Sequence, residues 1–221
     1  RPRVRSPGMP KCSHPSRGRC QGLVETVTFA ESVGDRQAAV AAERLAGDLG
    51  PGGRLAAFVL GQVDHPTEAE DLCRQMLRKR GLRTETRAVL QGQLGVLLSH
   101  SGRLDEAESM LGRAIDALPD PSAELANCLM NRSVVHMHRH ELERSAADLR
   151  RAITIYEARD DRESLAEAQH NLGYTALLGG ELVTALSLME RSRPVLASDL
   201  ARAISDLDRA EVLRDAGLAT E

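Results

Sequence analysis

Residues 168–185 read Ala-Gln-His-Asn-Leu-Gly-Tyr-Thr-Ala-Leu-Leu-Gly-Gly-Glu-Leu-Val-Thr-Ala, and this stretch decides the fold. A small residue, Gly173, is followed seven positions later by a turn glycine, Gly180, and then by Leu182 and Ala185. The same order recurs as Gly95, Gly102, Leu104 and Ala107, as Ser133, His140, Leu142 and Ser145, and as Ala57, Asp64 and Ala69. Ala57, Gly95, Ser133 and Gly173 are separated by 38, 38 and 40 residues, and Ala69, Ala107, Ser145 and Ala185 keep the same separations. A third mark, Ala114, Ala152 and Ser192, lies seven residues past the second, two helical turns along one face. A fixed period with helix-spaced marks means a stacked array of repeats.

Each repeat reads as a helix pair, helix A and helix B, whose small residues let the two backbones approach closely. Composition agrees: 42% of the 221 residues are hydrophobic but only 2% aromatic, with two Phe, two Tyr and no Trp, too few for an ordinary β-sandwich or barrel core. Ala and Leu must build the interior. Pro119-Asp120-Pro121 breaks one helix, and Asp120 is expected to cap the next with Pro121 at its first position. Asp160 with Glu163 reads as a capping box for the following one. A single pair leaves an apolar face uncovered, so neighbours must stack into an all-α, right-handed α-solenoid superhelix of antiparallel helix pairs.

Asn171-Leu-Gly173, Gly180, Leu182 and Ala185, followed by a long second helix, resemble the tetratricopeptide repeat (TPR). The resemblance covers roughly residues 50–221. The period of 38–40 exceeds the family's usual length of about 34 and is similar to that of a long-period, kinesin-light-chain-like branch. The family's usual Trp and Pro are missing. The segment Asp208-Arg-Ala-Glu-Val-Leu-Arg-Asp-Ala-Gly-Leu218, in a chain with 27 Arg and two Lys, also resembles repeats of actinobacterial proteins in which the array precedes a CHAT peptidase domain. That resemblance implies a bacterial regulatory or sensing array, with any peptidase or NTPase domain beyond residue 221 and nothing catalytic carried onto this chain.

Working outward, residues 1–22 hold six Lys/Arg and no acid, and read as a basic disordered tail. Residues 23–49 read as a degenerate repeat, and 50–221 as about four repeats plus a final unpaired helix A. The net charge of −3 leaves about −9 outside the tail, so nucleic acid is not the expected partner. The four cysteines, at 12, 20, 73 and 128, are too sparse for a disulfide framework, which suits a reducing, cytoplasmic setting. No apolar run approaches the roughly 18 residues of a membrane span.

No active site is legible and no cofactor is expected. The loop Gly50-Pro-Gly-Gly53 lacks the Lys and Ser/Thr of a phosphate cradle. His136, His138 and His140, with Cys128 two turns earlier, are the best metal candidate. Two imidazoles one turn apart supply only half a tetrahedron, so no metal is expected there, and Cys12, His14 and Cys20 offer only three ligands in the tail.

The expected function is protein or peptide binding in the concave groove lined by the A helices. Two positions before each small residue stand Gln93, Asn131, Asn171 and Asp208, and in the resembling family an Asn here often bonds the backbone of an extended peptide. A carboxamide both donates and accepts, so a row of them reads peptide groups independently of side chains. Gly92, Met130 and His170 precede this row, and Val96, Val134 and Tyr174 follow the small residue as expected neighbours of ligand side chains. The last helix A, with Ala210, Val212 and Leu213, lacks a partner helix and offers a route to self-association.

Overall fold

The computed structural model describes residues 66–218, and all secondary structure among them is helical. The expectations for the basic tail, the degenerate repeat, the Gly50–Gly53 loop and the Ala57 copy lie outside the described residues. The elements are α1 (Pro66–Leu77), α2 (Thr84–His100), α3 (Leu104–Ala117), α4 (Ala123–His138), α5 (Leu142–Ala158), α6 (Arg162–Leu178), α7 (Leu182–Ser192), a 3-10 turn (Arg193–Val195) and α8 (Asp199–Asp215). Helices α2/α3, α4/α5 and α6/α7 are the three A/B pairs. Helix α1 is a B helix and α8 an A helix, each without its mate among the described residues. Packing runs between successive helices, with further contacts of α2 with α4 and of α6 with α8, the pattern of an α-solenoid.

The small residues sit where the pairs close. Gly95, Ser133 and Gly173 are buried, as are Ala107, Ser145 and Ala185, and all three third-mark residues are fully covered. A Cβ on Gly173 would lie 3.1 Å from the Ala185 carbonyl oxygen and 3.2 Å from Leu188 Cβ, so the A and B backbones meet closely there. On Gly95 it would lie 2.6 Å from Leu111 Cγ. One apolar cluster spans α1 to α6 around Leu94, Leu98, Leu111, Leu125, Leu129 and Tyr156, and a second joins α4, α6, α7 and α8.

Each A-to-B turn among the described residues ends its helix in the same way. Gly102, His140 and Gly180 take positive φ of 72°, 58° and 79°, and the residue after each donates its N–H to the carbonyl five residues back, at 2.9 Å from Leu98, His136 and Ala176. Gly217 (φ 70°) closes α8 identically, with Leu218 N bonding the Leu213 carbonyl at 2.8 Å.

Both expected caps are displaced. Ser122, not Asp120, caps α4 by accepting from Leu125 N at 3.1 Å, while Asp120 accepts from Arg151 at 3.0 Å. The Asp120–Pro121 peptide is cis, and Pro121 lies outside the helix it was expected to begin. Asp161 caps α6 through Ser164 N (3.1 Å) and Ser164 Oγ (2.9 Å), because Asp160, at φ 51°, is spent on the turn itself.

Arginines tie consecutive repeats together at the surface. Arg103 bonds Glu70 and Glu106, each at 2.6 Å, and Arg144 bonds Glu108 and Glu141, each at 2.5 Å. Arg139 adds Glu108 and Asp105. Among the described residues, no helix is long and apolar enough to cross a membrane.

Candidate functional site

The register row falls on successive A helices: Gln93 on α2, Asn131 on α4, Asn171 on α6 and Asp208 on α8. The structure divides it. Gln93 and Asn131 are half-buried, whereas Asn171 is 3% and Asp208 2% exposed. The reason is the approach of α8 to α6: His170 Nε2 lies 2.9 Å from Asp208 Oδ2, so neighbouring A helices clasp through an imidazole and a carboxylate. A carboxylate oxygen accepts, so the ring donates through Nε2.

This junction is polar and incompletely satisfied. His170 Nδ1, Asn171 Nδ2, Asp208 Oδ1, Ser205 Oγ and Arg209 Nε are buried without a hydrogen-bond partner. Orphaned polar atoms are uncommon in protein interiors and cost free energy unless water or a ligand meets them.

The apolar neighbours of the row are largely buried. Val134 and Tyr174 are buried in the second cluster with Met137, Leu177, Ala185, Met189 and Val212, and Met130 packs half-buried against the first. Gly92 faces α4 closely: a Cβ there would lie 2.8 Å from Cys128 Sγ.

Two groups escaped the sequence reading. Glu167 lies one turn before Asn171, and burial, with the Glu163 and Asp161 carboxylates beside it, pushes its carboxyl up to about 7. Asn127 holds the same register one repeat earlier and accepts the Tyr156 hydroxyl at 2.6 Å. Stepping four residues back from Asn131 and Asn171 would have found both. Arg132, beside Asn131, donates two 2.7 Å bonds to Asp148. His136, first of the metal candidates, is buried, with Nδ1 3.1 Å from Glu141 and Nε2 3.5 Å from Asp148. Burial, with Arg144 beside it, lowers its pKa below the usual histidine range. The thiol of Cys128 is pushed up to about 12 by burial, which disfavours the thiolate that a metal requires. Among the described residues no three His, Cys, Asp or Glu are grouped to hold a metal.

Comparison with known proteins fits this architecture. The tetratricopeptide-repeat family model matches residues 125–158, which span α4 and α5. The fold is TPR-like. The crystal structure of BtubC (BKLC) from P. vanneervenii is similar at 19% identity and a TM-score of 0.65, over 84% of this chain and 85% of that one. The nearly identical, kinesin-light-chain-type TPR-like repeats from Podosopora anserina are similar at 18% identity and a TM-score of 0.58, over 93% of this chain and 89% of that one. No curated protein matches. TPR repeats imply a protein-interaction scaffold, and the long period seen in the sequence belongs to this TPR-like solenoid.

Proposed function

We propose that this TPR-like array binds an extended peptide along its A helices, in the sensing or regulatory region of a larger bacterial protein. The carrying observation is the recurrence of side-chain amides in one register, Gln93, Asn131 and Asn171, on successive A helices. Gln93 and Asn131 keep part of their surface open to a ligand. Asn171 is buried where α8 meets α6, so the part of the row that a peptide would meet is Gln93 and Asn131. Met130, half-buried, borders the row; Val134, His170 and Tyr174 are buried behind it and hold its helices in place, with Asp208 fixed at the far end through His170. The reading assigns no catalysis to the chain. The resemblance of Asp208–Leu218 to arrays ahead of a CHAT peptidase supports a regulatory role.

The test is an immobilised library of unstructured peptides probed with the chain and with a Gln93→Ala, Asn131→Ala double variant. Both positions are half-buried, so the fold is expected to survive. Peptides retained by the wild-type chain should bind the variant about tenfold more weakly, two lost hydrogen bonds at roughly 0.5–1.5 kcal/mol each. Equal retention would remove the groove from consideration.

A further inference from the structure

The turn between α1 and α2 differs in charge from the rest of the array. Residues 78–87 read Arg-Lys-Arg-Gly-Leu-Arg-Thr-Glu-Thr-Arg, five Lys/Arg against one acid, whereas the rest of 66–218 holds 15 Lys/Arg against 24 acids. The connections at the same place in the next two repeats, 118–122 and 159–161, carry Asp120, Asp160 and Asp161 with a single cation, Arg159. Arg103, Arg132, Arg139 and Arg144 are spent on carboxylates. Arg78, Lys79 and Arg80 are exposed, and none makes an ion pair among the described residues.

The turn holds these cations outward on a fixed frame. Gly81 takes a φ of 80°, which a side chain would strain, and Leu82 packs against Met76 and Leu90. Arg87 donates through Nη1 to the Leu77 carbonyl at 2.9 Å. A further cation is thus used to hold the main chain of an already cationic turn, and such crowding is unfavourable until an anion meets it.

We propose that this turn docks an acidic polypeptide segment, a short run of Asp and Glu side chains on a partner protein. Arg78 and Arg80 offer planar forks that match carboxylates, and Lys79 adds a point charge. Because the frame is already formed, little ordering on this side opposes binding. The surrounding charge selects the length of the anion. A nucleic acid or an anionic bilayer extends far past the turn and would meet the acid-rich remainder of the array, whereas a few carboxylates need only the turn itself. The site is independent of the amide row, whose first member, Gln93, stands about three helical turns further along α2.

The experiment is fluorescence anisotropy of a labelled peptide of alternating Glu and Ser, titrated with the 221-residue chain at low and high salt. A labelled single-stranded oligonucleotide and vesicles containing phosphatidylserine are run beside it. The wild-type chain should bind the peptide, more weakly as salt rises. The triple variant Arg78→Gln, Lys79→Gln, Arg80→Gln should bind about tenfold more weakly with an unchanged thermal midpoint, because all three side chains are exposed. The variant Arg113→Gln, Arg150→Gln, Arg159→Gln loses the same charge from exposed positions elsewhere in the array and should bind as the wild type does. No binding of the peptide, or an equal loss in both variants, would overturn the site. Tighter, turn-dependent binding of the oligonucleotide or the vesicles would overturn the choice of an acidic polypeptide.

Discussion

His140 occupies a turn position that Gly102, Gly180 and Gly217 fill in the other described repeats. Its φ of 58° is left-handed, where a side chain costs roughly 1–2 kcal/mol, although His tolerates the region better than most residues. Glycine removes that cost and gives part back through the greater freedom of the unfolded chain. His140→Gly should therefore stabilise the protein by about 0.5–1 kcal/mol, read from the urea midpoint; a lower midpoint would mean that the imidazole makes a compensating contact. Glu167 carries a different kind of strain. Its folded pKa of about 7 stands above the ordinary 4.5, so the folded state binds its proton more tightly than the unfolded one. The stability linked to it is fully present below pH 4.5 and is lost as pH rises towards 7. Glu167→Gln should gain on the order of 1–3 kcal/mol over the wild-type chain at pH 8 and much less at about pH 4.5, by denaturant midpoints at both. An equal gain at the two pH values would mean that the carboxyl ionises normally.

Among the elements, Gly173 shows how the sequence specifies packing. The atoms around its missing Cβ include the Ala185 carbonyl oxygen and Leu188 Cβ, a backbone atom and a side-chain root that cannot swing aside. Gly173→Leu should force α6 and α7 apart and cost about 1–3 kcal/mol by overpacking, measured by chemical denaturation. An unchanged midpoint would show that the pair can open without loss. This close approach was legible in the sequence because glycine weakens a helix interior, so a small residue kept there at fixed spacing marks a place where a second backbone needs the room. The turn register was legible with it. The caps were not. Asp120 and Ser122 at one turn, and Asp160 and Asp161 at the other, suit a cap equally well by composition, and only the backbone path through Pro121 and through Asp160 at positive φ decides which oxygen faces the first free N–H. The candidate amide row was legible only in part, for a related reason. Register places Asn131 and Asn171 alike, but their burial depends on how closely the next A helix approaches, and the His170–Asp208 contact that sets this joins residues 38 positions apart.

Across the whole molecule, protection should be graded along the array. Helices α4 and α5 lie between covered neighbours on both sides, whereas α8 is held through a face that includes Ser205, Asp208 and several unsatisfied polar atoms. Amide exchange followed by mass spectrometry should be fastest in α8 and slowest in α4 and α5. Uniform exchange would mean that the described array opens as one cooperative unit.

Packing in this array runs from each helix to the next or the next but one, and among the described residues no extensive contact joins the first pair to the last. A pull on the two ends of the described array therefore meets no broad clasp that spans it. The load passes through each A/B interface in series, as along a chain of equal links, and the first to yield should be the one with least buried apolar surface. Extension would then come as steps of one helix or one pair, each recoverable when tension falls because its neighbours remain as templates. In such an array, repeat number sets reach, and single residues such as Gly173 set the force at which a link gives way.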